Sequence, residues 1–101
     1  MSEMRICGIN DVPPGEIKQF NVGKMELLLI NNKGKFLCLD ARCTHAGAPL
    51  EEGELVDDIL ICPWHGSRFN VNTGAVVKGP AEKPLKVYPI KTEENNIMVV
   101  A

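Results

Sequence analysis

Two strand-like segments of this chain, residues 36–40 and 59–62, each run into a loop that begins with a cysteine and then holds a histidine. The first loop, residues 43–47, reads Cys-Thr-His-Ala-Gly, and the second, residues 62–67, reads Cys-Pro-Trp-His-Gly-Ser. The chain has only two histidines, and each lies near a cysteine in one of these loops. Because thiolate and imidazole are metal ligands, we expect the fold to bring the two strand ends together around a metal centre.

The remainder of the sequence alternates short strand-like segments with turn residues, which predicts an all-β fold class. No segment shows sustained apolar spacing at the helical period. Asn-Asn-Lys-Gly at residues 31–34 predicts a hairpin connection, because Asn and Gly tolerate positive φ. The predicted strands are residues 5–9, 16–22, 25–30, 36–40, 55–56, 59–62, 68–71, 75–77, 85–91 and 96–100, and the predicted loops are residues 41–54, 63–67 and 78–84.

Length, charge and cysteine content limit the architecture and the partners. The 101 residues fit a single domain, residues 1–101. A formal net charge of −2, from 11 basic and 13 acidic residues, provides no basic patch for nucleic acid or an anionic membrane. The first 20 residues lack the apolar run of a signal peptide, and no apolar stretch is long enough to span a bilayer. We therefore expect a cytoplasmic protein, in which Cys7 and Cys38 are buried free thiols.

Two kinds of metal centre fit the ligand pattern, which is C-x-H, sixteen residues, then C-x-x-H. One is a single Zn²⁺ held by two thiolates and two imidazoles. The other is a [2Fe–2S] cluster with two thiolates on one iron and two imidazoles on the other. Zinc fingers usually pair like with like in each half of the site, whereas each loop here supplies one cysteine and one histidine. That arrangement favours a core of two metal ions, although the spacing alone leaves zinc open.

The two loops resemble the Rieske boxes, C-x-H and C-P-x-H-G-S. The likeness extends over residues 36–90, and residues 79–81, Gly-Pro-Ala, resemble the proline loop that covers the cluster in that family. The resemblance implies a Rieske-like fold of stacked antiparallel sheets, with a cluster-binding part at about residues 41–84. It implies one [2Fe–2S] cluster, held by Cys43 and Cys62 on the inner iron and by His45 and His65 on the outer iron. The residues expected to surround the cluster are Gly47, Trp64, Gly66, Ser67 and Pro80.

Within that set, Ser67 is a candidate hydrogen-bond donor to a cluster sulfur, and the glycines are expected to let backbone N–H groups approach. Trp64 is expected either to shield the cluster or to contribute to a docking surface. Ala46, Gly47, Ala48, Pro49 and Pro80 are expected to form a small apolar tip around the histidines.

The sequence departs from part of the Rieske family at three positions. Rieske proteins of respiratory and photosynthetic complexes carry an extra cysteine in each loop, and the matching residues here are Ala48 and Trp64, so that disulfide cannot form. Those proteins also place a tyrosine where this chain has Phe69. Both differences remove features that favour the reduced state. We therefore expect a reduction potential toward the lower end of the Rieske range, on the order of −150 to 0 mV.

The resemblance implies a Rieske-type ferredoxin that carries one electron from a flavin-containing reductase to a terminal enzyme, such as an aromatic-ring-hydroxylating dioxygenase. Catalysis by the chain itself is not expected, because an oxygenase iron needs two further histidines and a carboxylate. Two alternatives remain open. One is the small Rieske subunit of an assimilatory nitrite reductase, and the other is a zinc-stabilised structural or interaction module.

Overall fold

A computed structural model of the protein describes residues 3–64 and 66–100. Those residues form eleven strands in three antiparallel sheets, which confirms the predicted all-β class and its antiparallel sheets. Two short 3-10 helices, Ile9–Asp11 and Leu50–Glu52, interrupt the strand order. The strands are β1 (Glu3–Gly8), β2 (Ile17–Val22), β3 (Met25–Asn32), β4 (Lys35–Asp40), β5 (Glu54–Val56), β6 (Ile59–Ile61), β7 (Arg68–Asn70), β8 (Val76–Lys78), β9 (Val87–Tyr88), β10 (Ile90–Glu93) and β11 (Asn96–Val100).

The sheets divide the chain into a terminal part, a middle part and a loop-bearing part. The terminal sheet has the order β1-β11-β10, the middle sheet β2-β3-β4-β9, and the loop-bearing sheet β5-β6-β7-β8. Strands β4 and β6 end at Asp40 and Ile61, shortly before the first and second cysteine loops. The prediction that two strand ends lead into the two loops is thus confirmed. Among the described residues, no helix has the length and apolar character needed to cross a membrane.

Strand β3 is buried on both faces, because successive side chains of a strand point in opposite directions. Leu27 and Leu29 pack in a core with residues of β1 and β11, which we call the terminal core. Leu28 and Ile30 pack in a second core with residues of β6 and β7, which we call the loop core. The middle sheet therefore lies between two hydrophobic cores.

The prediction of one strand over residues 85–91 is wrong. The structure has two strands there, β9 in the middle sheet and β10 in the terminal sheet, and Pro89 separates them. Proline has no N–H to donate to a ladder, so the chain leaves one sheet at this residue and enters the other. The change of sheet joins the terminal and middle sheets covalently.

The hairpin prediction at residues 31–34 is correct in place but wrong in extent. Asn31 and Asn32 belong to β3, and only Lys33 and Gly34 form the turn. The Asn31 side chain is buried, where its amide donates to the Val12 carbonyl (2.8 Å) and its oxygen accepts from the Gly34 N–H (2.8 Å). This polar side chain therefore fixes the turn from within the strand.

Truncation of one buried side chain on each face of β3 should distinguish the role of the loop core from that of the terminal core. Leu28→Ala and Leu29→Ala each remove a fully buried side chain, so each is expected to lower the free energy of unfolding of the metal-free protein by about 2–5 kcal/mol. Urea denaturation measures this loss. Only Leu28 shares the loop core with Cys43 and Cys62, so only Leu28→Ala should also speed the chelator-driven loss of the predicted cluster. Equal loss rates in two variants of similar stability would contradict the division into two cores.

Candidate metal centre

The two cysteine loops close with the same backbone hydrogen bond. In the first loop the Cys43 N–H donates to the Ala48 carbonyl (3.0 Å), and in the second the Cys62 N–H donates to the Ser67 carbonyl (2.7 Å). In both cases the donor cysteine and the acceptor are five residues apart. The two loops therefore close in the same way, and each closing bond holds a cysteine at the start of its loop.

A glycine with positive φ lies four residues after each cysteine. Gly47 has a φ of +71° and Gly66 has a φ of +74°, in the left-handed region that favours glycine. A Cβ built at either position would meet no protein atom within 4 Å. The backbone turn, and not a close approach of other protein atoms, is thus what requires glycine at these positions.

The two cysteine side chains meet in the loop core. Cys43 is 4% exposed and Cys62 is 3% exposed, and the two thiols are within hydrogen-bonding reach of each other. The pKa of the Cys62 thiol is raised to about 11, and burial is the largest cause. The neighbouring Cys43 also raises this pKa, whereas a hydrogen bond from the Trp64 backbone N–H lowers it. The chain alone therefore keeps Cys62 protonated at neutral pH.

Of the two histidines predicted to be ligands, the structure describes only His45. His45 is exposed, two residues along the loop from the buried Cys43. His65 lies outside the described residues. Within residues 3–64 and 66–100, no three side chains of the His, Cys, Asp or Glu type converge on a point that would hold one metal ion. The described ligand candidates are thus a buried pair of sulfurs and an exposed imidazole.

The loop after β8, residues 79–84, is joined to both cysteine loops by side-chain hydroxyls. The Thr44 hydroxyl of the first loop donates to the Lys83 carbonyl (2.6 Å). The Ser67 hydroxyl of the second loop accepts from the Ala81 N–H (3.0 Å). Ser67 is fully buried, and since it is the acceptor in this bond, its own O–H proton remains available to a further acceptor. The residue expected to donate to the cluster also holds the neighbouring loop.

The residues predicted to form an apolar tip differ in exposure: Ala46 and Pro80 are exposed, and Gly47 and Pro49 are half-buried. The side chain of Trp64, which is not among the predicted tip residues, is 48% exposed. Ala48 is fully buried in the loop core, so its prediction as a surface residue is wrong. Its carbonyl closes the first loop by accepting from the Cys43 N–H.

The other two cysteines lie as predicted, and Phe69 is part of the loop core. Cys7 and Cys38 are buried free thiols in the terminal core, away from the loop core. Burial raises the pKa of both thiols, that of Cys38 to about 12. Phe69 is fully buried in the loop core with Cys43 and Cys62. The position thus offers a ring and no hydroxyl to the buried side of the site.

Sequence reasoning missed the residues that hold the loops from outside. Thr44 is one, and Asp40 is another, because it accepts hydrogen bonds from the Lys86 N–H (2.9 Å) and the Tyr88 hydroxyl (2.9 Å). This contact ties the end of β4 to the segment that follows the third loop. Most of these partners are backbone groups distant in sequence, which no local pattern identifies.

Comparison with known proteins gives a consistent result. The Rieske [2Fe-2S] domain family matches residues 2–89. The biphenyl dioxygenase ferredoxin subunit of Pseudomonas sp. (strain KKS102) is 36% identical over 100 residues, covering 98% of this chain and 92% of that protein. Apoptosis-inducing factor 3 of Homo sapiens is 33% identical over 99 residues. The match covers 98% of this chain but only 16% of the length of that larger protein.

A solved structure gives the same result for the fold. It is the complex of reduced oxygenase and oxidised ferredoxin in carbazole 1,9a-dioxygenase, and one of its chains is 35% identical to this one. The two superpose with a TM-score of 0.88, over 96% of this chain and 91% of that chain.

The pKa of Cys62 gives a measurable expectation for the metal-free protein. Alkylation of this thiol, followed residue by residue by mass spectrometry, should be half-maximal near pH 11 in the native state. In denaturant the same thiol should return to an ordinary pKa near 9.0. At pH 8 the native protein should therefore react roughly 100-fold more slowly at Cys62 than the unfolded protein. Equal rates in the two states would mean that the thiol is not buried as described.

Phe69→Tyr tests the missing hydroxyl. If the new hydroxyl donates to a ligand sulfur, the reduction potential should rise by about 20–65 mV, because one hydrogen bond contributes about 0.5–1.5 kcal/mol and about 59 mV corresponds to 1.4 kcal/mol for one electron. A redox titration of the purified variant measures the shift. Phe69→Leu, which alters the ring but adds no donor, should give no such rise and serves as the control.

Proposed function

We propose, from the premise that this chain belongs to the Rieske [2Fe–2S] domain family, that it is a one-electron carrier of the ferredoxin type. The bound [2Fe–2S] cluster supplies the redox chemistry by accepting and releasing a single electron. The protein supplies the ligands, a buried inner side and an exposed outer side. The observation that carries the proposal is the pair of matching loops, which join two buried thiols to a histidine at the surface.

In this proposal Cys43 and Cys62 bind the inner iron, and His45 and His65 bind the outer iron. The two sulfurs suit the inner position because both are buried and adjacent. His45 suits the outer position because it is exposed. Two thiolates balance the two positive charges of an oxidised cluster core, and neutral imidazoles leave that balance unchanged. A cluster held in this way would carry a single negative charge after reduction, so we expect its potential to lie above that of a four-thiolate cluster, about −400 mV.

The thiols must lose their protons to act as ligands. The pKa of Cys62, about 11, keeps the thiol protonated at neutral pH until a metal cation replaces the proton. A hydrogen bond from the Trp64 N–H already favours the thiolate at this sulfur. The same bond would remain after the metal binds, where N–H donors to sulfur raise the potential.

The proposed protein carries electrons and does not itself catalyse bond chemistry. Non-haem oxygenase sites use two histidines and a carboxylate on a separate iron. Both histidines of this chain are assigned to the cluster loops, so none remains for such a site. We therefore place the chain in an oxidoreductase system as its ferredoxin component.

The proposed electron acceptor is a terminal oxygenase, and the proposed donor is a flavin-containing reductase. The acceptor is supported by the similar chain that forms a complex with the oxygenase of carbazole 1,9a-dioxygenase. Ala46 and Trp64, in the two cysteine loops, and Pro80, in the third loop, are exposed apolar residues that we assign to the docking surface. Transient redox complexes use small interfaces of this kind. Four free cysteines also suit a reducing compartment, so we place the protein in the cytoplasm.

Metal analysis with a redox titration tests this proposal. We expect two irons and two acid-labile sulfides per chain, a [2Fe–2S] EPR signal after reduction, and a reversible one-electron potential on the order of −150 to 0 mV. The potential should fall at strongly alkaline pH, because iron(III) acidifies the free N–H of a ligating imidazole more than iron(II) does. A potential well above +200 mV would contradict the expected range. A flat potential at alkaline pH would contradict histidine ligation, and a single zinc without sulfide would overturn the proposal.

A further inference from the structure

We infer that Glu26 and Arg42 form a bracket that positions the first cysteine loop and sets the local charge beside the cluster. The inference rests on the proposed function, because it concerns the potential of the cluster proposed above. Neither residue belongs to the proposed ligand set or to the proposed docking surface. Both are positioning residues: Arg42 holds the backbone of the first cysteine loop, and Glu26 holds the Arg42 side chain.

The bracket spans from the middle sheet to the first cysteine loop. Glu26 lies in β3, and its Oε2 accepts a hydrogen bond from Arg42 Nε at 3.0 Å, which is also an ion pair. Arg42 Nη1 donates a second hydrogen bond to the Gly47 carbonyl at 3.2 Å. One guanidinium thus joins a strand to the far end of the loop that begins at Cys43. Its two donors are separate nitrogens in a rigid plane, a geometry that lysine cannot reproduce.

The second hydrogen bond fixes the peptide units on either side of Gly47. The Gly47 N–H donates to the Cys43 carbonyl (2.9 Å), while the Gly47 carbonyl is held by Arg42. Because a trans peptide unit is planar, the Ala48 N–H points away from the guanidinium. The next carbonyl, that of Ala48, accepts from the Cys43 N–H. Arg42 therefore holds the carbonyl of the glycine turn that closes the loop beginning at Cys43.

The charges of the bracket cancel as long as both partners are present. Arg42 precedes the proposed ligand Cys43 in the chain. Glu26 and Arg42 line two surface grooves, and the other charged residues of those grooves are Lys24, Glu51 and Asp40. The Asp40 carboxylate accepts from the Lys86 N–H and the Tyr88 hydroxyl. These three groups are unchanged in variants of the bracket. A change at Glu26 or Arg42 alone thus leaves one uncompensated charge beside the site where an electron is added.

Removing each charge separately tests the inference with the iron–sulfur protein. At low ionic strength, Glu26→Gln should raise the reduction potential, because the remaining Arg42 cation favours the reduced form. Arg42→Gln should lower it, because the Glu26 carboxylate remains, and the double variant should return close to the wild-type value. Both shifts should shrink in 1 M salt, where the screening length is about 3 Å. A purely structural role would not produce shifts of opposite sign that salt removes.

The rate at which a chelator removes the cluster tests whether Arg42 positions the loop. Arg42→Lys keeps the charge but loses the two-point geometry, so its potential should stay near the wild-type value. Its cluster should nevertheless be lost to a chelator roughly fivefold faster, as expected for one lost hydrogen bond. Glu26→Gln, whose side-chain oxygen can still accept from Arg42, should lose the cluster more slowly than Arg42→Lys. Visible absorbance follows this loss.

A matched control distinguishes the effect of the bracket from the effect of removing any one surface charge. Glu3→Gln removes one of the two carboxylates that pair with Lys91 in the terminal sheet, at 2.8 Å and with similar exposure. It should leave the potential and the rate of cluster loss unchanged. Unchanged potentials in both single variants at low salt, or shifts of the same sign, would overturn the inference. If Arg42→Gln retains no cluster, the Glu26→Gln shift and its salt dependence still decide. A wild-type protein without a [2Fe–2S] cluster would instead overturn the proposed function.

Discussion

The contact between the buried thiols of Cys43 and Cys62 is the interaction on which the rest of the site depends. Two thiols facing each other in an apolar core are stable as neutral groups, and the raised pKa of Cys62 expresses this preference. As a pair of thiolates they would be costly to bury without a cation between them. The buried pair therefore favours either two neutral thiols or two thiolates that share a cation, and the loops around it fix where the two sulfurs lie.

The terminal core and the loop core have different roles, and they are distinct because β3 is buried on both faces. The terminal core holds together the first and last strands, and it contains two cysteines that take no part in the site. The loop core holds the two thiols, and it is closed by Leu28 and Ile30 from the middle sheet. The middle sheet thus gives the loops a rigid base. A long loop such as residues 41–49 keeps its shape because its ends are anchored to that base.

Sequence reasoning located the loops and the fold class because both signals are local. Strands that end at Asp40 and Ile61, and the cysteines that follow, can be recognised from a few adjacent residues. The change of sheet at Pro89 was missed because a strand with one proline resembles an edge strand. The burial of Ala48 was missed because it depends on packing against loop-core residues that are distant in sequence. Contacts to distant backbone atoms, such as that of Thr44 with Lys83, leave no pattern in the sequence.

The hydroxyl contacts of Thr44 and Ser67 connect the two cysteine loops through a third segment. Residues 79–84 are bound to one cysteine loop by Thr44 and to the other by Ser67. The two loops are far apart in sequence, yet a displacement of either one is transmitted to the other through this shared segment. The relative position of the two cysteines is therefore a property of three segments together and not of either loop alone.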